Sequence, residues 1–210
     1  EYLGIEASGS LKEDLYHRLF GFLNYGHGAY NTLAALVGGE LSYYMKERNL
    51  SRFKLRVLFS SGDSQQGTYF GGFSGSDSST HFIPISSREH FGIVFSPNPG
   101  NITVGTAAYS FKPLQRTFAD PGELQIELTA MTFFRNSTGA ISEPGVNVTS
   151  DSFYLGSEAD LRVNFRPFSD LGLTFTSGLF MPNTYSENSP FHGSRPNFES
   201  AARLNVSFAY

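Results

Sequence analysis

Three basic residues at every second position are the clearest candidates for chemistry in this chain. The segment 52–57 reads RFKLRV, so Arg52, Lys54 and Arg56 alternate with apolar residues. Successive side chains of a β-strand point to opposite faces, so these three cations would share one face of a strand. Aligned cations beside a narrow aqueous space raise the local concentration of anions. The trio is therefore a candidate surface for attracting anions.

The segment 153–166 repeats this alternation with both signs of charge. Six of its seven odd positions are apolar, whereas most of its even positions are polar or charged. The candidate residues for a charged, water-facing surface are Arg52, Lys54, Arg56, Glu158, Asp160, Arg162, Arg166 and Arg203. Two interpretations stay open: these residues guide anions, or arginines and carboxylates on facing strands pair and only keep a wet surface soluble.

Signatures of catalysis and of cofactor binding are missing from the sequence. It has no Gly-x-Ser-x-Gly, His-Glu-x-x-His or Walker A pattern, no cysteine, and five scattered histidines without metal-ligand spacing. Asp63 and Asp77 could offer oxygen atoms to Ca²⁺, but without the spacing of an EF-hand. The net charge of -4 is too weak to indicate a nucleic-acid partner. We therefore expect no enzyme activity, resident metal, cofactor or nucleic acid.

The elements that would position the charged residues are long strands. Apolar and polar residues alternate in nine segments, at 2–11, 15–25, 33–46, 52–60, 101–111, 123–134, 153–165, 171–181 and 201–210. Most exceed the five or six residues of a usual globular strand. The connections alternate between short turns, such as 12–14 and 167–170, and long polar loops, such as 61–100 and 136–152. Sorting of turns and loops to opposite ends is typical of transmembrane β-barrels.

These patterns predict one all-β domain over residues 1–210, an antiparallel transmembrane β-barrel in a bacterial outer membrane. Its apolar face would meet lipid, with a lipopolysaccharide-type outer leaflet, and its charged face would line a water-filled interior. Long loops would be extracellular and short turns periplasmic. Because bacterial single-chain barrels have even strand numbers, nine strands would form only part of a larger barrel. A soluble lipocalin-like barrel with the polar face outward is the alternative.

The last ten residues, AARLNVSFAY, alternate up to a final aromatic residue. This ending resembles the C-terminal signal by which the barrel-assembly machinery recognises outer-membrane proteins. The resemblance makes Phe208 and Tyr210 the candidate assembly signal and the assembly machinery an expected partner.

Two further stretches resemble the alginate-export family of outer-membrane channels. One is LFSSGD at Leu58–Asp63, followed by HFIPISSREHFG at His81–Gly92, and the other is the strand pair Phe153–Pro182. The resemblance implies a channel with a basic interior that passes small or anionic solutes, including polysaccharides. Members of this family are about twice as long, so the resemblance also implies that the nine strands are the C-terminal half of a barrel of up to about 18 strands. The alternative is a surface adhesin or receptor barrel that binds ligands through its long loops. Residues 61–100 would distinguish the two, since this loop either folds inward as a constriction or stands outward.

Overall fold

The computed structural model describes residues 1–27, 31–73, 78–85, 91–113, 123–168 and 170–208. Nine strands in this part of the chain have ten or more residues: β1 (Tyr2–Lys12), β2 (Leu15–Gly26), β3 (Asn31–Met45), β4 (Ser51–Ser60), β8 (Ile102–Phe111), β9 (Glu123–Arg135), β10 (Tyr154–Phe168), β11 (Leu171–Pro182) and β12 (Glu199–Phe208). Three are short: β5 (Gln66–Thr68), β6 (Gly71–Phe73) and β7 (Ser78–Ser79). No helix in the described ranges is long and apolar enough to cross a membrane.

The long strands form one antiparallel sheet in chain order, β1-β2-β3-β4-β8-β9-β10-β11-β12. Strand β7 adds a short parallel pairing to β3, while β5 and β6 form a separate hairpin. The nine long strands coincide with the nine predicted segments, so the all-β antiparallel prediction is confirmed. Within the described residues β1 pairs only with β2, and β12 only with β11. The sheet is therefore open along both outer strands.

Connections of unequal length are sorted to opposite ends of the sheet. At the turn end, β1 meets β2 and β10 meets β11 after two residues each. At the loop end lie the connections 61–101, 136–153 and 183–198. This sorting matches the predicted alternation of short turns and long loops, apart from the four-residue connection 27–30 at the loop end and the eleven-residue connection 112–122 at the turn end.

One face of the sheet is apolar and exposed, and we call it the bare face. Exposure reaches 76% at Ile5 and 65% at Leu204. Large exposed side chains on this face come from eight of the nine long strands: Leu3, Ile5, Leu19, Leu23, Leu33, Val37, Leu41, Phe53, Leu55, Val57, Phe59, Tyr109, Leu128, Phe134, Phe175, Leu179, Met181, Leu204, Val206 and Phe208. Polar residues at the alternate positions consequently point to the other side.

The opposite face, which we call the covered face, carries the long loops. An aromatic cluster joins Phe95 of loop 61–101 to Phe133, Phe180 and Phe191, and Phe95 stacks on Phe180 with ring centroids 4.4 Å apart. A second cluster packs Phe82 from the same loop against side chains of β2, β3 and β4. The described parts of this loop therefore fold inward, over the sheet.

Leu155 departs from the predicted alternation. The odd positions of 153–165 place it on the apolar bare face, yet Leu155 is fully buried in the aromatic cluster. A β-bulge between Tyr154 and Gly156 shifts the pairing with β9 and turns this side chain over. Gly156 has a positive φ of 152°, and a Cβ atom there would overlap the Phe180 ring. The prediction for Leu155 is therefore wrong, because one extra residue in the strand shifts the alternation and moves this side chain to the covered face.

The buried cation Arg135 organises the loop between β9 and β10. Its guanidinium donates hydrogen bonds to five backbone carbonyls, those of Gly139, Asn147, Val148, Ser150 and Ser152. All five bonds come from the two terminal nitrogens of the rigid guanidinium fork, so one side chain binds carbonyls spread over fourteen residues of loop, while its Nε has no hydrogen-bond partner among the described residues. Arg135 thereby replaces the ladder hydrogen bonds that this irregular segment lacks.

His81, in the inward loop, is buried beside the edge-on ring of Tyr69, with centroids 5.1 Å apart. Neither ring nitrogen of His81 has a hydrogen-bond partner among the described residues. Burial lowers the pKa of His81 to about 4, against a weaker opposing effect of Asp63. The folded loop therefore holds this imidazole in its neutral form.

Acid should weaken the loop packing through His81. Since the folded pKa lies below the unfolded value, the unfolded form takes up the proton first, and stability present above about pH 6.5 is lost as pH falls towards 4. The loss should reach about 3 kcal/mol at most. We expect His81→Phe to remove this dependence in protease-protection measurements between pH 4 and 7. An unchanged pH profile in His81→Phe would contradict the assignment, and His192→Gln, in an exposed loop position, is the control.

Candidate functional site

A charged groove runs along the covered face where the loops leave it open. It consists of two adjoining cavities of about 170 and 680 Å³, which share Phe91, Ile93, Asp160 and Arg162. The sheet contributes its floor from β4 to β12, and the inward loop contributes one wall through Phe91, Gly92, Ile93 and Ser96. The charged residues of the groove are Lys54, Arg56, Glu127, Asp160, Arg162 and Arg203.

The strand register sets these charges in rows across the sheet. Arg52, Glu127, Arg162 and Arg203 occupy one row, linked by the successive pairings through Ser110 and Thr176. One step towards the loop end, Lys54 and Asp160 share a second row. Arg56 and Glu158 share a third. Residues far apart in the sequence are thus neighbours because antiparallel pairing aligns them.

All eight predicted charged residues lie on the covered face by strand alternation, but in different surroundings. Five of them line the groove: Lys54, Arg56, Asp160, Arg162 and Arg203. Arg52 forms an ion pair with Glu127 at 3.4 Å and lies over the Tyr44 ring at 6.0 Å. Arg166 is exposed near the turn between β10 and β11, outside the groove. The structure therefore brings together most of the predicted set, with Arg166 apart from it.

The balance of charge in the groove favours anions. Its side chains include four basic residues and two acidic ones. Arg56 also lies over the Phe20 ring of β2 at 5.8 Å, and this contact holds its guanidinium close to the sheet. Part of the charge is offset by pairs, as the second interpretation of the sequence expected, and Arg52 with Glu127 is the clear example. The remaining excess of cations can attract dissolved anions.

Glu158 has a different environment from the other predicted residues, since only 2% of it is exposed. Its Oε1 accepts the backbone N–H groups of Ile93 at 2.7 Å and Val94 at 2.8 Å. Its Oε2 accepts the N–H of Phe95 at 2.8 Å. The carboxylate therefore fastens the inward loop to β10.

Sequence reasoning missed this contact because its partners lie 63 to 65 residues away. Gly92 is a weak indication in the sequence that another group approaches the loop backbone closely. A Cβ atom at Gly92 would overlap the Glu158 carboxylate, so only glycine lets the loop backbone come this close. Arg135 gave no signal distinguishing it from an exposed arginine at a strand end.

Other predicted positions lie at the edges of the structure or beyond its described part. Phe208 ends β12 on the bare face with 72% exposure. Tyr210, Asp77 and His90 lie outside the described residues. Asp63 accepts the backbone N–H groups of Gln65 and Thr80, both at 2.9 Å. No cluster of three or more potential metal-ligating residues occurs in the described ranges.

Comparisons with known proteins add no relative: no protein-family model matches the chain, and no curated protein matches its sequence. The resemblance to the alginate-export family thus rests on the short motifs in 58–92 and 153–182 and stays a prediction.

Proposed function

We propose that this chain forms part of the wall of a β-barrel in a bacterial outer membrane and acts as a passive channel for small or anionic solutes. The observation that carries the proposal is the bare face, which exposes large apolar side chains on eight of nine strands. Soluble monomers rarely expose contiguous apolar patches larger than a few hundred Å². In a membrane these apolar side chains would contact lipid instead of water, so exposing them would cost no free energy. The charged covered face would meet water inside the barrel.

Strand length supports the same environment. The long strands have 10 to 15 residues, and about 9 to 11 tilted residues span a membrane's hydrocarbon layer. The nine long strands run antiparallel to one another, as in bacterial barrels.

The outer strands β1 and β12 require further partners in this proposal. Their outward backbone groups are unpaired within the described sheet. Each unsatisfied N–H or C=O costs several kcal/mol in hydrocarbon, so sheets cross membranes only as closed barrels. We propose that additional strands continue the sheet at both edges, consistent with a barrel of up to about 18 strands.

The inward course of the described parts of loop 61–101 favours a channel over an adhesin. Phe82 and Phe95 anchor this loop on the covered face, inside the proposed barrel. The loop narrows the interior but leaves the charged groove beside it. Exposed aromatic residues in the loops, Tyr185 at 80% and Phe198 at 66%, support the second candidate, a receptor or adhesin that binds ligands at the loop end.

Replacing Arg52, Lys54 and Arg56 together by Ser should lower the preference for anions over cations. The groove would lose cations that raise the local anion concentration, and the difference should shrink as salt shortens the Debye length below about 10 Å. Reversal potentials of the full-length protein across a salt gradient measure this preference. The amount of folded barrel should not fall, because substitutions on the water-facing side are solvated.

A matched control removes three cations at the turn end instead, by changing Lys12, Lys46 and Arg48 to Ser. This control should leave the reversal potential closer to that of the unaltered protein. Unchanged reversal potentials in the Arg52/Lys54/Arg56 variant would remove the channel role from these residues. Ligand binding lost on trimming residues 64–88, without any change in selectivity, would support the adhesin instead.

Phe208→Asp should impair assembly more than function. Phe208 lies on the bare face at the end of β12, where a charge facing the membrane interface costs on the order of 1 kcal/mol and disturbs the terminal signal. Deleting Tyr210 should act in the same direction. The measurement is the membrane level of folded, heat-modifiable barrel, with Phe208→Leu as control. A normal level of the Phe208→Asp protein would refute the assignment.

A further inference from the structure

We infer that Glu158 is a positioning residue that sets the width, and not the charge selectivity, of the proposed passage. The inference rests on the proposed channel function and assigns the size limit of that channel to one contact. The contact joins the Glu158 carboxylate to the backbone of Ile93, Val94 and Phe95.

The carboxylate is used as an acceptor for backbone groups. Both of its oxygens accept N–H groups, and Glu158 forms no ion pair with any described basic side chain. An ionised carboxylate is acceptor-only, so it can satisfy three converging N–H groups, whereas an amide would turn an NH₂ towards one of them. Its charge is offset by three backbone N–H dipoles in a buried site, and the Asp160 carboxylate of the groove lies next to it.

Two glycines make room for this carboxylate. A Cβ atom at Gly92 would overlap both of its oxygens, and one at Gly178 would crowd Oε1 and the Asp160 carboxylate. Gly178 also brings β11 close to Ile93. The contact thus needs the Glu158 side chain on β10 and a glycine at two neighbouring positions, Gly92 on the loop and Gly178 on β11.

The anchored segment, residues 91–95, lies between the aromatic cluster and the charged groove. Phe95 is held in the aromatic cluster by its stack on Phe180, whereas Phe91 and Ile93 face the charged groove. Without the carboxylate, three N–H groups would lose their acceptor, and the part of the segment before Phe95 would have only side-chain packing to hold it. Movement of Phe91–Val94 away from the sheet would widen the groove that Phe91 and Ile93 now narrow.

Glu158→Gln tests the inference against Glu6→Gln. Both variants remove one carboxylate from the covered face, but Glu6 lies on β1, outside the groove, and pairs with Arg18 at 2.9 Å. We expect Glu158→Gln to raise single-channel conductance and to admit larger neutral solutes in liposome-swelling assays. Glu6→Gln should leave the size limit unchanged. Gly92→Ala displaces the same carboxylate from the loop side and should have the same effect. If Glu158→Gln does not fold, Gly92→Ala replaces it in the experiment.

A second measurement reports how accessible the anchored segment is and does not depend on conduction. The chain has no cysteine, so Val94→Cys gives a single thiol that packs against the aromatic cluster. Losing a charge-assisted hydrogen bond should raise the maleimide labelling rate of folded protein about tenfold or more. Labelling in the Glu6→Gln background should stay at the rate of the Val94→Cys parent.

The outcomes separate this inference from the function on which it rests. Faster labelling together with a larger size limit supports it. Unchanged labelling or an unchanged size limit in Glu158→Gln, beside a conducting parent protein, overturns the width-setting role and leaves the channel intact. A parent protein that does not conduct overturns the proposed function, and the width-setting role with it.

Discussion

The two-residue period of the antiparallel strands is the constraint on which the rest of this structure depends. It directs large apolar side chains to the bare face along eight of the nine long strands and the candidate charged residues to the covered face. The register then turns this separation into order across the sheet, because each charged residue lies level with residues of its neighbours. A one-residue slip would move a strand's charges to the apolar face, so the register is strongly specified. The bulge at Leu155 shows the same rule locally, since one extra residue is enough to bury a side chain that the period would expose.

Two buried charges solve the complementary problem of the loops, which lack ladder partners for much of their backbone. Arg135 donates to loop carbonyls, and Glu158 accepts from loop N–H groups. Both side chains start from neighbouring strands, β9 and β10, and both point to the covered face. Removing either would leave several buried backbone groups without partners, each at a cost of about 1–3 kcal/mol. The sheet therefore holds its loops through polar contacts with the backbone as well as through the aromatic cluster.

Sequence patterns predicted the strands and the charged face because both depend on local periodicity. Lys54, Arg56 and Arg162 are on the covered face for the same reason that their neighbours are apolar. The role of Glu158 was not predictable in this way, since its acceptor function depends on a loop more than 60 residues away that folds back over the sheet. Arg166 illustrates the opposite case. It obeys the period, yet it lies nearer the turn than the groove extends.

The two ends of the covered face differ in a way that bears on how the proposed channel would discriminate between solutes. Towards the loop end, the aromatic cluster and the anchored segment fill the space with apolar side chains. Towards the turn end, the rows of Lys54 and Arg162 lie open to the groove. A solute in the groove would therefore meet the loop segment, which limits size, on one side and the charged strands, which limit charge, on the other. Because the first is fixed by a backbone contact and the second by side chains in water, the two filters can change independently: a substitution on β4 alters charge preference without moving the loop, and the Glu158 contact alters width without changing the cations.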